Sequence, residues 1–217
     1  MDIKNNLINI EKSIPKDVKL VAVSKYKPIE MLQEAYEAGI RDFGENKVQE
    51  LQDKYDKFHK DVKWHFIGHL QTNKVKYIVG KVNLIHSLDS VKLLNELEKN
   101  YKNKDIIADV LIQINIGREE NKYGILEEEL ISLIEEVEKC SFVKVKGLMA
   151  ILPKGDEVSN REYFKRMYKI WSDMKAKNFK NITMEILSMG MSNDYKIAIE
   201  EGANMVRVGQ GIFGKRD

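Results

Sequence analysis

The sequence predicts an α/β fold of the (β/α)8 class, a TIM barrel in which eight parallel strands alternate with helices. Two observations support this class: short β-branched apolar runs alternate with longer charged segments of helical period, and eight such units fit a chain of 217 residues. Strands that alternate with helices form right-handed βαβ units and hence a parallel sheet. An open, doubly wound parallel sheet is the alternative architecture.

The predicted strands are apolar runs that end in a turn or a glycine, as buried strands of a parallel sheet do. In chain order they are Lys19 to Ser24, Ile40 to Gly44, Lys63 to Gly68, Asn83 to Leu88, Ala108 to Ile116, Val143 to Ile151, Ile182 to Met189, and Asn204 to Gly209.

The segments between the strands carry apolar residues at the i, i+3, i+4, i+7 spacing of amphipathic helices. Pro28 stands at a first-turn position of one helix and Gly39 stands where it should end. A further helix from about Ile3 to Ser13 precedes the first strand and is extra to the barrel. No linker or low-complexity tract interrupts the pattern, so residues 1–217 are predicted to form a single domain.

Composition excludes several functional classes. Charged residues make up 32% of the chain, but they are interspersed and the net charge is only +2, which argues against a nucleic-acid surface. The single cysteine, Cys140, excludes an intramolecular disulfide framework and fits a reducing compartment. No apolar run approaches the roughly 20 residues of a membrane span, and the start lacks the apolar core of a signal peptide. We therefore expect a soluble cytoplasmic protein without a membrane or nucleic-acid partner.

The carboxyl ends of the strands are where a barrel of this class carries its active site. Lys25 directly follows the first strand and either starts a loop or lies at the barrel mouth, where burial favours the neutral amine that forms imines. Asn46 follows the second strand and either caps the next helix or points into the mouth.

Two glycine-containing loops follow the seventh and eighth strands, the usual phosphate site of this fold. Gly190 and Gly209 would let the backbone approach an oxyanion, while Ser188 and Ser192 offer hydroxyls. These glycines can also be ordinary turn residues. Because both loops stand at the two expected strand ends, the pattern favours a phosphate site.

The last loop also spells GxGxxG through Gly209, Gly211 and Gly214, the fingerprint of dinucleotide-binding turns. That fingerprint belongs after the first strand of a βαβ unit, opens a long helix, and precedes an acidic residue by about 20 positions. Here only Lys215, Arg216 and Asp217 follow. A dinucleotide site is therefore not predicted.

No metal site or activated nucleophile is predicted. His65 and His69 are four residues apart, but they fall on a strand and its following loop, without an acidic or cysteine cluster. The chain has no GxSxG or HExxH motif, and no activating partner is evident for Cys140.

Six ordered segments, VAVSK, FGENKVQE, WHFIGHLQTNK, GLMAI, LSMGMSND and VRVGQGIFGKR, resemble the YggS/PROSC family of pyridoxal 5'-phosphate (PLP) homeostasis proteins. The resemblance runs from the first strand to the C-terminus, and such proteins are similar in fold to the barrel domain of alanine racemase. It implies PLP as the cofactor and a set of residues that bind it. The implied set is Lys25, Asn46, Ser188, Gly190, Arg207, Gly209 and Gln210.

The resemblance also implies a role for each residue. Lys25 would form the internal aldimine with PLP, and Asn46 would approach the cofactor near it. Ser188, with the backbone near Gly190 and at Gly209 and Gln210, would hold the phosphate. These roles agree with the residue-level interpretation, because imine chemistry after strand one and phosphate binding after strands seven and eight are the two ends of one ligand.

Arg207 would lie by the pyridine nitrogen of the cofactor. A guanidinium stays protonated and can only donate, so it would keep that nitrogen unprotonated and make the ring a weaker electron sink. Where the family usually has Thr and a variable residue, this chain has Gln210 and Gly211. We therefore expect a backbone contact at Gln210 in place of a hydroxyl.

The function that the resemblance implies is a carrier that holds PLP reversibly for other enzymes, with no catalytic residues of its own. The alternative is a PLP-dependent racemase of the alanine racemase type, which needs a base on each face of the substrate. In that enzyme a second domain supplies the opposing tyrosine, and the barrel here takes up the sequence. An imine-forming aldolase is a third hypothesis. For a carrier we expect transient contact with PLP-dependent apoenzymes and a monomeric state.

Overall fold

The computed structural model describes residues 2–215 and shows eight parallel strands that close into a barrel. Each strand pairs with the next along the chain, and the eighth pairs with the first. This closure confirms the predicted barrel and excludes the open sheet. Met1, Arg216 and Asp217 lie outside the described residues, including the final residue of the VRVGQGIFGKR segment. The strands are β1 Lys19–Val23, β2 Asp42–Glu45, β3 Lys63–Phe66, β4 Leu84–Leu88, β5 Ala108–Ile114, β6 Val143–Ala150, β7 Ile182–Ser188 and β8 Met205–Val208.

All eight predicted strands are present, and their bounds differ by a few residues for local reasons. Ile40 was placed in the second strand, but its amide donates to Ala35 O at 3.1 Å and so belongs to the end of the preceding helix. Gly39 lies just before it with φ +110°, a conformation in which glycine is favoured. The fifth strand ends early because the Asn115 amide donates to Ile125 O at 2.8 Å, within the loop that follows.

The helices fill the connections between strands. The extra helix at the N-terminus begins after Asp2, whose carboxylate accepts from the Asn5 amide at 2.9 Å. Ser90 caps the fourth helix by accepting from the Leu93 amide at 3.2 Å. Residues 72–77 and 127–129 form short 3-10 turns. The helices are α1 Ile3–Lys12, α2 Ile29–Glu37, α3 Val48–Lys57, α4 Val91–Lys102, α5 Leu130–Val137, α6 Glu157–Lys175, α7 Tyr195–Glu200 and α8 Gln210–Phe213.

Helix α1 contacts the last two helices, α7 and α8. Asn6 Nδ2 donates to Ile212 O at 2.9 Å, and Ser13 Oγ lies 2.8 Å from Tyr195 Oη. The extra helix thereby fixes α7 and α8, the two elements that follow β7 and β8. None of the helices within residues 2–215 combines the length and the apolarity that a membrane span requires.

The core has two parts. The larger one lies between the strands and the surrounding helices, and a smaller apolar cluster lies inside the barrel. Buried polar side chains share the barrel interior with that cluster, among them two histidines and an arginine. The interior apolar cluster consists of Val21, Leu84, Leu111, Met149 and Met205.

Candidate functional site

A cavity of about 560 Å³ opens at the carboxyl ends of the strands. This volume is in the range of small-molecule sites, which lie at this face in barrels of the class. Residues that follow β1, β2, β6, β7 and β8 line it, so distant parts of the chain meet there. The predicted residues on its wall are Lys25, Asn46, Arg207, Gly209 and Gln210.

Asn46 faces the cavity and does not cap helix α3, whose N-terminal flanking residue is Lys47. The Asn46 Oδ1 atom is buried and has no hydrogen-bond partner among residues 2–215. A buried amide oxygen without a partner is costly, and such an atom at a cavity wall points to a ligand that donates to it. Of the two sequence-based interpretations, the structure therefore supports the one in which Asn46 points into the mouth.

Lys25 lies on the same wall, two residues past the end of β1 at Val23, and is half-buried. The next residue, Tyr26, has φ +62°, an uncommon conformation for a non-glycine residue. Its amide donates to Glu50 Oε1 at 2.5 Å. Helix α3 thus fixes the turn that presents Lys25.

A buried polar cluster under Lys25 and Asn46 joins the ends of β1 and β2. Ser24 Oγ donates to Glu45 Oε1 at 2.5 Å. Lys54 Nζ donates to Glu45 Oε1 at 2.8 Å, to Glu50 Oε1 at 2.7 Å and to Ser24 O at 2.8 Å. Burial raises the pKa of Glu45 to about 7, although Lys54 and Ser24 favour its ionised form.

The loops after β7 and β8 carry convergent backbone donors at the cavity. The amides of Gly209 and Gly211 both donate to Ser192 Oγ, at 3.3 and 3.2 Å. Ser192, Gly209 and Gln210 line the cavity. Amide groups and a hydroxyl that converge in this way are a common arrangement for binding a phosphate.

Ser188 and Gly190 are not among the residues that line the cavity, although Met191 and Ser192 next to Gly190 are, so the predicted phosphate contacts of Ser188 and Gly190 stay predictions. Ser188 Oγ is buried inside the barrel, where it accepts from Arg207 Nη1 and lies 3.2 Å from His86 Nδ1. Gly190 has φ +90°, and a Cβ there would lie 2.6 Å from Ala198 Cβ. Its glycine is required for packing against α7, so the hydroxyl at the cavity is that of Ser192.

Arg207 is a buried cation at the cavity, only 3% exposed. Its Nη1 donates to Ser188 Oγ at 2.5 Å and its Nη2 donates to Ala150 O at 2.8 Å. No carboxylate of the described chain forms an ion pair with it, although Asp194 acts on it from a distance. Burial lowers the pKa of Arg207 to about 10, so the side chain remains charged at neutral pH.

Sequence reasoning missed His86 and assigned the phosphate hydroxyl to Ser188, not to Ser192. His86 stands in the predicted fourth strand, and the period-two alternation of Leu84 and His86 places both inside the barrel. The same parity in β7 places Ser188 inside. The period-two alternation was therefore the sequence signal that could have placed His86 and Ser188 inside the barrel.

Comparison with known proteins agrees with this architecture. Residues 1–217 match the family described as "Alanine racemase, N-terminal domain". A pyridoxal phosphate homeostasis protein of Aquifex aeolicus is 44% identical over 91% of this chain and 87% of its own length. One of Haemophilus influenzae is 37% identical over 100% of this chain and 97% of its own length.

Solved structures give the same result. PipY of Synechococcus elongatus, in a structure with PLP bound, is 31% identical, has a TM-score of 0.88, and aligns over 98% of this chain and 100% of its own. Alanine racemase of Clostridium difficile is 17% identical with a TM-score of 0.79 over 99% of this chain and 57% of its own, which shows a shared fold. The chain therefore belongs to the pyridoxal phosphate homeostasis protein family, built on the barrel of the alanine racemase N-terminal domain.

Proposed function

We propose that this protein binds PLP at the carboxyl end of the barrel and carries or buffers it for other enzymes. The observation that carries the proposal is that Lys25 and Arg207 line one cavity, together with the amide of Gly209. An amine, a buried cation and a phosphate-binding loop are the three groups that this ligand requires. The PLP-bound structure of PipY and the names of the relatives support the same ligand.

The residues present fit the functional groups of PLP. Ser192 and the amides of Gly209 and Gly211 would hold the phosphate, and the buried Asn46 Oδ1 would accept from the ring hydroxyl. Lys25 would supply the amine that condenses with the aldehyde, which links the cofactor covalently as an imine. When bound, PLP supplies an aldehyde and an electron-withdrawing ring.

Arg207 would disfavour carbanion chemistry without forbidding it, since racemases also use such an arginine. Its guanidinium can only donate, and the residue lines the cavity, so it suits an acceptor such as an unprotonated pyridine nitrogen. A pyridine ring whose nitrogen carries no proton withdraws electron density less strongly. It therefore stabilises a carbanion on a bound amino acid less well. This arrangement fits a protein that holds the cofactor without turning over substrate.

The racemase alternative requires a second base opposite the lysine. Titratable side chains other than Lys25 line the cavity, namely Lys27, Lys154, Glu157 and Asp194, so the choice between carrier and racemase rests on a measurement of turnover. Incubation of the PLP-loaded protein with a panel of amino acids, followed by chiral analysis, tests this. Turnover on the order of 1 per second or faster would establish an enzyme instead.

The binding proposal is tested by loading the purified protein with PLP. We expect a yellow absorbance that is lost on borohydride reduction, and a phosphopyridoxyl adduct that peptide mass mapping assigns to Lys25. The variant K25A should lack the adduct. K154A is the matched control, because Lys154 is an exposed lysine on the same cavity, and it should keep the adduct on Lys25. A protein that gains no adduct would refute the proposal.

The carrier role has its own test. PLP-loaded protein should reactivate a PLP-dependent apoenzyme in the presence of a scavenger that consumes free PLP, which would show direct transfer by transient contact. We further propose that the protein acts in the cytoplasm and as a monomer, the latter testable by sedimentation. Recovery of the apoenzyme no faster than with free PLP and scavenger would refute direct transfer.

A further inference from the structure

A chain of buried polar side chains crosses the interior of the barrel from the start of β2 to the cavity. Asp42 Oδ1 lies 2.9 Å from His65 Nε2, and His65 Nδ1 lies 2.9 Å from His86 Nε2. His86 Nδ1 lies 3.2 Å from Ser188 Oγ, which accepts from Arg207 Nη1 at 2.5 Å. Both histidines and Ser188 are at most 3% exposed.

The two ends of the chain fix the direction of every hydrogen bond. Arg207 can only donate, so Ser188 Oγ accepts from it and uses its own proton to donate to His86 Nδ1. Because His86 Nδ1 accepts, a neutral His86 carries its proton on Nε2 and donates to His65 Nδ1. A neutral His65 likewise carries its proton on Nε2 and donates to the Asp42 carboxylate. All four bonds therefore run from the cation to the anion.

The surroundings favour neutral imidazoles. Burial lowers the pKa of His65, and Lys19 and Lys63 lower it further, while Asp42 acts in the opposite direction. Burial also lowers the pKa of His86, with additional lowering by His65 and Arg207. For Asp42, burial is outweighed by His65, Lys19 and Lys63, so its pKa falls and it stays ionised.

We propose that Asp42, His65, His86 and Ser188 are positioning residues that orient Arg207 toward the cofactor ring and hold it as a hydrogen-bond donor. Arg207 is the member of this chain that lines the cavity. Polarisation of each bond toward Asp42 strengthens Ser188 as an acceptor for the guanidinium. The proposal rests on the proposed binding of PLP, and its tests are arranged so that the two can fail separately.

The first test needs no cofactor. Nitrogen NMR of the ligand-free protein with labelled histidine should show His65 and His86 neutral and protonated at Nε2, throughout the interval from about pH 5 to 8 that brackets an ordinary histidine pKa. A proton on Nδ1 of either ring, or a charged ring in this interval, would overturn the directional chain whether or not PLP binds.

The second test uses variants of the full-length protein loaded with PLP. S188A removes the acceptor for Arg207 Nη1, and we expect PLP binding about tenfold weaker or more, with a shifted absorbance maximum and pH profile of the bound cofactor. S188T keeps the hydroxyl and should restore the wild-type spectrum. Wild-type affinity and spectrum in S188A would overturn the positioning role, whereas failure of the wild type to bind PLP would overturn the proposed function alone.

D42N serves as a second variant if S188A does not fold. The amide keeps an oxygen that can accept from His65 but lacks the charge, so a smaller shift of the pH profile in the same direction is expected. D109N is the matched control, because Asp109 lies near the start of β5 as Asp42 lies at the start of β2. Asp109 is not a member of the hydrogen-bonded chain that links Asp42 to Arg207. An equal effect of D42N and D109N would contradict the proposal.

Discussion

At the residue scale, the buried guanidinium of Arg207 raises the question of what offsets the cost of removing its charge from water. A guanidinium removed from water costs several kcal/mol unless its donors are satisfied. Here a hydroxyl accepts from Nη1 and a backbone carbonyl accepts from Nη2, and the residue also lines the cavity. An acceptor on a bound ligand would add a further partner for the guanidinium and offset part of the cost of its burial.

Ser192 is the residue whose removal should separate phosphate recognition from ring recognition. We predict that S192A weakens binding of PLP about tenfold, because the phosphate loses a hydroxyl that lies beside two converging amides. Binding of pyridoxal, which has no phosphate, should change by less than about twofold. Fluorescence titration with both ligands measures this. Equal losses for PLP and pyridoxal would place the phosphate elsewhere.

Glu45 should make stability depend on pH near neutrality. Its pKa is raised from 4.5 to about 7 by burial, so the folded protein holds the proton more tightly than the unfolded chain. The stabilisation from protonated Glu45 is fully present below pH 4.5 and is lost as pH rises through about 7. At about 1.4 kcal/mol per unit, the whole effect is at most about 3 kcal/mol.

The variant E45Q removes this titration and keeps an amide that can bond to Ser24 and Lys54. Urea unfolding of wild type and E45Q between pH 4.5 and about 8 should show a falling free energy of unfolding for the wild type and a flatter profile for E45Q. The urea m-values should agree, which controls for changes in the unfolded state. Parallel pH profiles would contradict the assignment.

At the scale of elements, the site is built by helix α3 and by close contact between strand ends. Lys54 and Glu50 on α3 hold the ends of β1 and β2 from outside the barrel. Lys54 is buried with two carboxylates, and such groups are strongly destabilising when one partner is lost. The turn that presents Lys25 therefore depends on helix α3, although no residue of α3 lines the cavity.

Gly68 lets the ends of β2 and β3 approach closely at Asn46. A Cβ at position 68 would lie 2.3 Å from Asn46 O and 2.8 Å from Asn46 Cα, so the backbone would have to move. We predict that G68A lowers the free energy of unfolding by about 2 kcal/mol and weakens PLP binding, because Asn46 is displaced. Thermal unfolding and PLP titration measure the two effects.

Gly39 provides the matched control, because it has φ +110° and a Cβ there would meet nothing within 4 Å. The variant G39A should cost about 1 kcal/mol from backbone strain and leave PLP affinity unchanged. If G68A binds PLP as tightly as G39A does, the strand contact at Asn46 does not shape the site.

At the scale of the whole molecule, the barrel was predictable because its signals are local and repeated. The alternation of strand and helix gave all eight strands, and the position of Lys25 after β1 gave one wall of the cavity. Burial direction was harder, because Ser188 and Ser192 are both hydroxyls near the end of β7 and are separated by an even number of residues. Only the end of β7 at Ser188, which leaves Ser192 in the following loop at the cavity, separates the interior hydroxyl from the one at the mouth. His65 and His86 lie 21 residues apart on the adjacent strands β3 and β4, and their contact depends on the pairing register of these strands, which no local pattern encodes.

Closure also brings the two ends of the sequence together at the site. Strand β1 pairs with β8, with Ala22 opposite Val208, so a ligand bound to Lys25 and to the loop after β8 bridges this seam. We predict that PLP at about 100 times its Kd stabilises the fold by about 2.7 kcal/mol and raises Tm by roughly 5 to 10 °C. Hydrogen exchange should slow most in β1 and β8. K25A should show a smaller rise in Tm, and uniform protection across all eight strands would argue that the ligand does not span the β1–β8 seam.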